Sequence, residues 1–129
     1  MRAAALILLA APAAAQEAVP APDYFVEAAF LSSTAQVLAL SCQTLSVDPI
    51  AIARLTDATL ARLTEDGFTP ENLADRMADP SDAIATLQAA FVQKHALEQG
   101  APEAAVCAAG AAEIAEETAL GTLIVEVAQ

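Results

Sequence analysis

The chain has 129 residues, 17 acidic against five basic, and a formal net charge of −12. Its length suits a single small domain, and its charge leaves no basic footprint for nucleic acid or anionic lipid headgroups. The 57% hydrophobic fraction overstates the core, because roughly a quarter of the chain is alanine, which favours helix but buries little area per residue.

Residues 1–15 read as a secretory signal peptide: Met1-Arg2, an apolar run from Ala3 to Ala11, then Pro12-Ala13-Ala14-Ala15. A positive start, a short apolar stretch and a small-x-small end are the parts of such a leader, and the run falls short of the ~20 apolar residues a bilayer span needs. Cleavage after Ala15 leaves Gln16 first, removes Arg2 but no acid, and moves the charge from −12 to −13. The expected location is therefore outside the cytoplasm, in the periplasm, with no membrane span in the mature chain. Residues 16–22, punctuated by Pro20 and Pro22, read as a flexible lead-in to one helical domain over residues 23–129.

A first helix is expected from Asp23 to about Leu45, with Phe25, Ala28 or Ala29, Ser32, Ala35, Ala39 or Leu38, and Cys42 at helical spacing. Asp48-Pro49 starts a second helix, aspartate capping and proline in the first turn, and Gly67 stops it. Arg54 and Arg62 share a face and read as partners for Asp57 and Asp66, or for a buried acid elsewhere. Thr69-Pro70 opens a third helix carrying Leu73 and Met77. Asp79-Pro80 interrupts it and caps a fourth, reaching about Gln99, with Ile84, Leu87 and Phe91 inward. These two segments read equally as one kinked helix or two. Lys94 and His95 fall in the polar last turn, where cations complement the helix dipole.

Gly100-Ala101-Pro102 separates the fourth helix from a last one, expected to run through Ile124 and to form the centre on which the others pack. Gly110 and Gly121 lie close to three turns apart on one face, and each costs ~1 kcal/mol relative to alanine. They predict close approach of another helix, the natural candidate being the one bearing Cys42. Cys42 and Cys107 are the only cysteines; in an exported chain they read as a structural disulfide. Redox or metal thiolates are disfavoured by the wide spacing and the single His. No stretch alternates with period two, so no strand is expected. The fold class is all-α, a small array of about five helices stapled by one disulfide.

Glu113 and Glu117 are the candidate functional or buried carboxylates. They sit four apart near Val106, Leu120 and Ile124. Such acids are either boundary groups, paired internally, or the start of a metal or acid–base site. No nucleophile–base set, phosphate loop or metal cluster accompanies them, so no catalytic residue, metal or cofactor is assigned.

The pattern Cys107-x-x-Gly110-x-x-Glu113-Ile114-Ala115-x-x-Thr118-x-Leu120-Gly121-x-Leu123-Ile124 resembles a domain-of-unknown-function family of small exported bacterial proteins. Its members carry a signal peptide, two cysteines and a C-terminal Cys-x-x-Gly-x-x-Glu-Ile stretch. Ala111 and Ala112 stand where that family tends to carry charge. The resemblance implies a helical fold and no known activity. Three functions stay open: a non-enzymatic binding or structural module of the cell envelope with an envelope protein as partner, a metal-dependent or acid–base enzyme using Glu113 and Glu117, and a carrier of a small apolar ligand.

Overall fold

The computed structural model describes residues 17–128, and the expected signal peptide lies outside them. Five helices follow in order: α1 (Asp23–Ser41), α2 (Pro49–Glu65), α3 (Leu73–Arg76), α4 (Ser81–His95) and α5 (Glu103–Ala115). Two short strands complete the fold, β1 (Leu45–Val47) and β2 (Ile124–Glu126), the second preceded by a single 3-10 turn over Gly121–Leu123. The all-α expectation holds, with a two-stranded ribbon added to it.

The central element is α1, not the C-terminal stretch. At 19 residues it is the longest helix, and α2, α4, α5 and β1 all pack on it. Ala28, Leu31, Ala35 and Leu38 lie on its buried side, with Cys42 buried just past its end, and the small residues let neighbours come close. The main core joins Leu31, Ala35, Leu38 and Cys42 to Leu45, Leu120, Leu123 and Ile124. A second cluster, Leu63, Phe68 and Met77, packs with Tyr24 and Phe25 near the start of α1. There the Tyr24 hydroxyl donates to Asp66 at 2.6 Å, and Arg62 lies over the Tyr24 ring.

Helix α1 stops at Ser41, earlier than expected, because Cys42 turns extended (φ −139°, ψ 117°). That turn brings Cys42 to Cys107, with their Cα atoms 5.3 Å apart and the disulfide closed. The chain then runs into β1, which pairs antiparallel with β2: Leu45 opposite Glu126, Ser46 opposite Val125, Val47 opposite Ile124. Three residues a side are too few to show an alternating pattern, and the partners are separated in sequence by α2, α3, α4 and α5. The ribbon was therefore invisible to local periodicity.

Helix ends explain the remaining differences. At the end of α2, Phe68 N–H donates to Leu63 and Gly67 N–H to Thr64, with Gly67 left-handed at φ 83°. This is the Schellman arrangement, in which a left-handed residue lets the last carbonyls be satisfied. The same bonds close α4, from Leu97 to Val92 and Ala96 to Gln93, and α5, from Thr118 to Glu113 and Glu117 to Ile114. At these two ends the left-handed residue is Ala96 (φ 51°) and Glu117 (φ 52°). Glycine marked the end of α2 in the sequence; alanine and glutamate concealed the other two. Hence the last helix, expected to reach Ile124, stops at Ala115.

The expected third and fourth segments form two separate helices, α3 and the α4 that ends at His95, not one kinked helix. Between them, Ala78 N–H donates to the Val19 carbonyl and Val19 N–H to Arg76, both at 2.7 Å. Asp48 caps α2 as expected, accepting from Ile50 and Ala51. Asp79 accepts from Ser81 at the start of α4, and the hydrogen bonds from Ser81 hold its carboxyl below the usual range.

Candidate functional site

Two neighbouring features are placed by the ends of α4 and α5. The first is built on Glu113, 3% exposed in the last turn of α5. Its Oε1 accepts from His95 Nε2 at 2.7 Å and from Lys94 Nζ at 2.9 Å. Its Oε2 accepts a short hydrogen bond from the Thr118 hydroxyl. Thr118 Oγ1 in turn accepts from Gly121 N–H at 3.0 Å. A burial this deep is tolerable for a carboxylate only when its lone pairs are occupied, as they are here.

Burial pushes the Glu113 carboxyl up, but the hydrogen bonds from Thr118, His95 and Lys94 outweigh it and hold the group below the usual range. Lys94 is held above its ordinary value by hydrogen bonds to Glu116 and Glu113. It bridges the two carboxylates at 2.9 Å each and remains 44% exposed. His95 packs against Phe91, ring centroids 4.8 Å apart, and Phe91 meets Phe30 of α1 edge-on. The cluster therefore ties the end of α4 to the end of α5 and to the 3-10 turn. It is a lock, with its polar atoms spent on one another.

Glu117 does not join this cluster. Glu117 lies beyond the helix in the left-handed conformation and is exposed, so the four-residue helical register is lost before it. Arg54 and Arg62 are not the partners of Glu113. The sequence suggested Lys94 and His95 as dipole partners, His95 also as a companion of Glu113 and Glu117 in an enzyme or metal site, and Thr118 not as a partner of Glu113. Their common signal is position: each sits next to a left-handed helix end, where the chain reverses and brings the side chains together.

The two glycines mark close approaches, but the nearest atoms belong to β1 and to the end of α5 and not to α1. A Cβ on Gly110 would lie 2.3 Å from Leu45 Cδ1, and one on Gly121 only 2.0 Å from the Glu113 carbonyl oxygen. Gly121 thus lets the 3-10 turn fold back on the end of α5. Among the described residues, the grouping of donors suited to a metal is Cys42, Cys107 and Glu103. A metal would need the thiolates, and the disulfide has consumed them.

The second feature is a groove of about 410 Å³ between α1 and the α4–α5 segment. Its walls are largely apolar: Val37 and Leu38 from α1, Phe91 and Val92 from α4, and Leu97 and Val106 beyond. Glu98 is the only charged residue in its lining. Helix α4 has no buried residue; Phe91 and the lock below it hold this wall in place. Val37 is 58% exposed, Val92 40%, and Leu40, three residues on from Val37, 88%. No helix among the described residues is long and apolar enough to cross a membrane.

Comparison with known proteins places the chain in a family of unknown function, DUF5333, whose model matches residues 17–125. No curated protein and no solved structure matches it.

Proposed function

We propose that this DUF5333 member is an exported, non-enzymatic binding module of the cell envelope. One observation carries the reading: large apolar side chains are scarce in this chain, yet Val37 and Val92 stand exposed on the walls of a concave face, with Leu40 exposed three residues beyond Val37. Exposed apolar surface of that kind marks interaction sites on soluble proteins. The best-placed acid, Glu113, has both oxygens occupied by neighbours, so it is a structural group and not a free acid or base. Export rests on the leader-like residues 1–15, and the two cysteines suit an oxidising compartment.

A photo-activatable amino acid placed in turn at Val37, Leu40, Ile50 and Leu60 in the native host tests the binding role. All four positions are exposed apolar ones. An identified envelope protein joined reproducibly from one face is expected; no adduct from any position overturns the reading. Export is checked separately by the mass of the mature chain, expected to begin at Gln16. A chain retaining Met1 in the cytoplasm would end that part.

The small-ligand carrier is the second reading, favoured by the groove's volume of about 410 Å³, within the ~300–1,000 Å³ of ligand clefts. Native mass spectrometry of protein taken from its own host would show a bound apolar molecule.

A further inference from the structure

The groove has an electrostatic setting as well as a shape. The chain carries 17 acidic residues against five basic ones, and its cations are largely spent internally. Arg62 lies over the Tyr24 ring. Arg76 lies over Phe68 and donates to the Gly67 and Asp66 carbonyls. Lys94 is held between Glu113 and Glu116. The surface field is consequently negative and weakly compensated. In the groove itself Glu98 is the one charge, and its carboxylate meets no hydrogen-bond or ion-pair partner among the described residues.

We infer that the groove between α1 and the α4–α5 segment docks a cationic amphipathic helix of a partner protein, apolar stripe on Val37, Leu40 and Val92, basic residues toward Glu98. This deepens the binding-module reading and rests on it. The mode is helix-in-groove recognition, in which anchors at i, i+3, i+4 and i+7 fill an apolar cleft. Three features select this occupant. The apolar strip continues past the cleft to Leu40, further than a small enclosed ligand requires. Helix α4 packs inward through Phe91 and His95 but leaves Val92 40% exposed beside the 58% exposed Val37, so a helix laid along the groove covers apolar surface that the chain leaves open. The acidic field attracts a basic partner and raises its association rate. The same field repels a second copy of this chain and anionic membranes.

The probe is an 18-residue synthetic helix with leucine at i, i+3, i+4 and i+7 on one face and lysine on the other, labelled for fluorescence anisotropy. Two control peptides accompany it, one with glutamate in place of lysine and one with the leucines scattered around the helix. The lysine helix is expected to bind at micromolar concentration and both controls at least about tenfold more weakly. Val37→Asp and Leu40→Asp should each weaken it about tenfold or more, and Glu98→Lys about fivefold with a flatter salt dependence. Ile50→Asp, on α2 away from the groove, should change nothing. Circular dichroism on each variant confirms an intact fold; these positions are exposed, so folding should survive.

Equal binding of the glutamate helix, unchanged binding by Val37→Asp, or equal losses for Val37→Asp and Ile50→Asp would overturn the assignment. A dimer split by Val37→Asp would also overturn it, giving the face to a second copy. Cross-links from Ile50 or Leu60 with no groove-dependent peptide binding would sink the groove and leave the binding module standing. No cross-link from any face, with no peptide binding, would end both.

Discussion

Replacing Glu113 by glutamine tests whether the lock holds the fold as described. Glutamine keeps the volume and one acceptor, so no cavity opens, but it removes the charge from the bonds with Lys94, His95 and Thr118. Bonds to a charged group contribute ~1.5–3 kcal/mol, and an abandoned buried donor costs ~1–3 kcal/mol. Lys94 escapes that penalty because it is 44% exposed and keeps Glu116 at 2.9 Å. His95, with a side chain only 9% exposed, does not. A net loss of about 2 kcal/mol at neutral pH follows. At ~4 °C per kcal/mol for a domain of this size, that lowers Tm by about 8 °C.

The pH dependence sharpens the test. The Glu113 carboxyl is lowered from 4.5 in the folded protein, so its contribution is complete above that value and is lost as pH falls through the lower folded one. The variant has no carboxyl to titrate. Thermal melts by circular dichroism from pH 7 to pH 3 should therefore show the two proteins converging toward the acid end. Equal Tm values at pH 7, or a gap that stays constant down to pH 3, would refute the lock.

Reducing the Cys42–Cys107 bridge, which spans 65 residues, should lower unfolding free energy by about 4 kcal/mol; urea titrations with and without reductant would measure it, and coincident curves would contradict it. Gly121→Ala should cost about 2–3 kcal/mol because its Cβ meets backbone. Gly110→Ala should cost less, since the atoms that it meets are the end of the Leu45 side chain and not backbone; the reverse order in chemical denaturation would show that the close approach was misplaced. Glu117→Gly should stabilise the protein by up to about 1 kcal/mol, because the left-handed conformation strains any residue with a Cβ. A drop in Tm would mean that the Glu117 side chain contributes more than the strain it carries.

Residues 49–67 were legible because their signals are local: Asp48 caps, Pro49 opens and Gly67 closes, each acting on its own backbone. The disulfide was legible from chemistry, with one pair of cysteines in a chain carrying an export-like leader. The helical class followed from alanine content and spacing. Tertiary structure alone decided the rest. Left-handed Ala96 and Glu117 end helices where no glycine announces it, because tertiary packing over-determines a conformation that the local sequence disfavours. Leu45–Val47 and Ile124–Glu126 become strands only through one another, across most of the chain.

The site divides in the same way. That Glu113 sits on an apolar face can be read from a helical wheel. Its partners cannot, because Lys94 and His95 belong to another helix and Thr118 to a turn that the wheel would have continued as helix. The groove is still further from the sequence. Val37, Leu40 and Val92 fall outside the helical stripes that the sequence assigns to the core, but only the packing of α4 against α1 makes Val37 and Val92 walls of one groove. Local residue chemistry determined which helices form and which cysteines pair; long-range packing determined where the helices end, what satisfies the buried charge, and which apolar side chains remain to meet a partner.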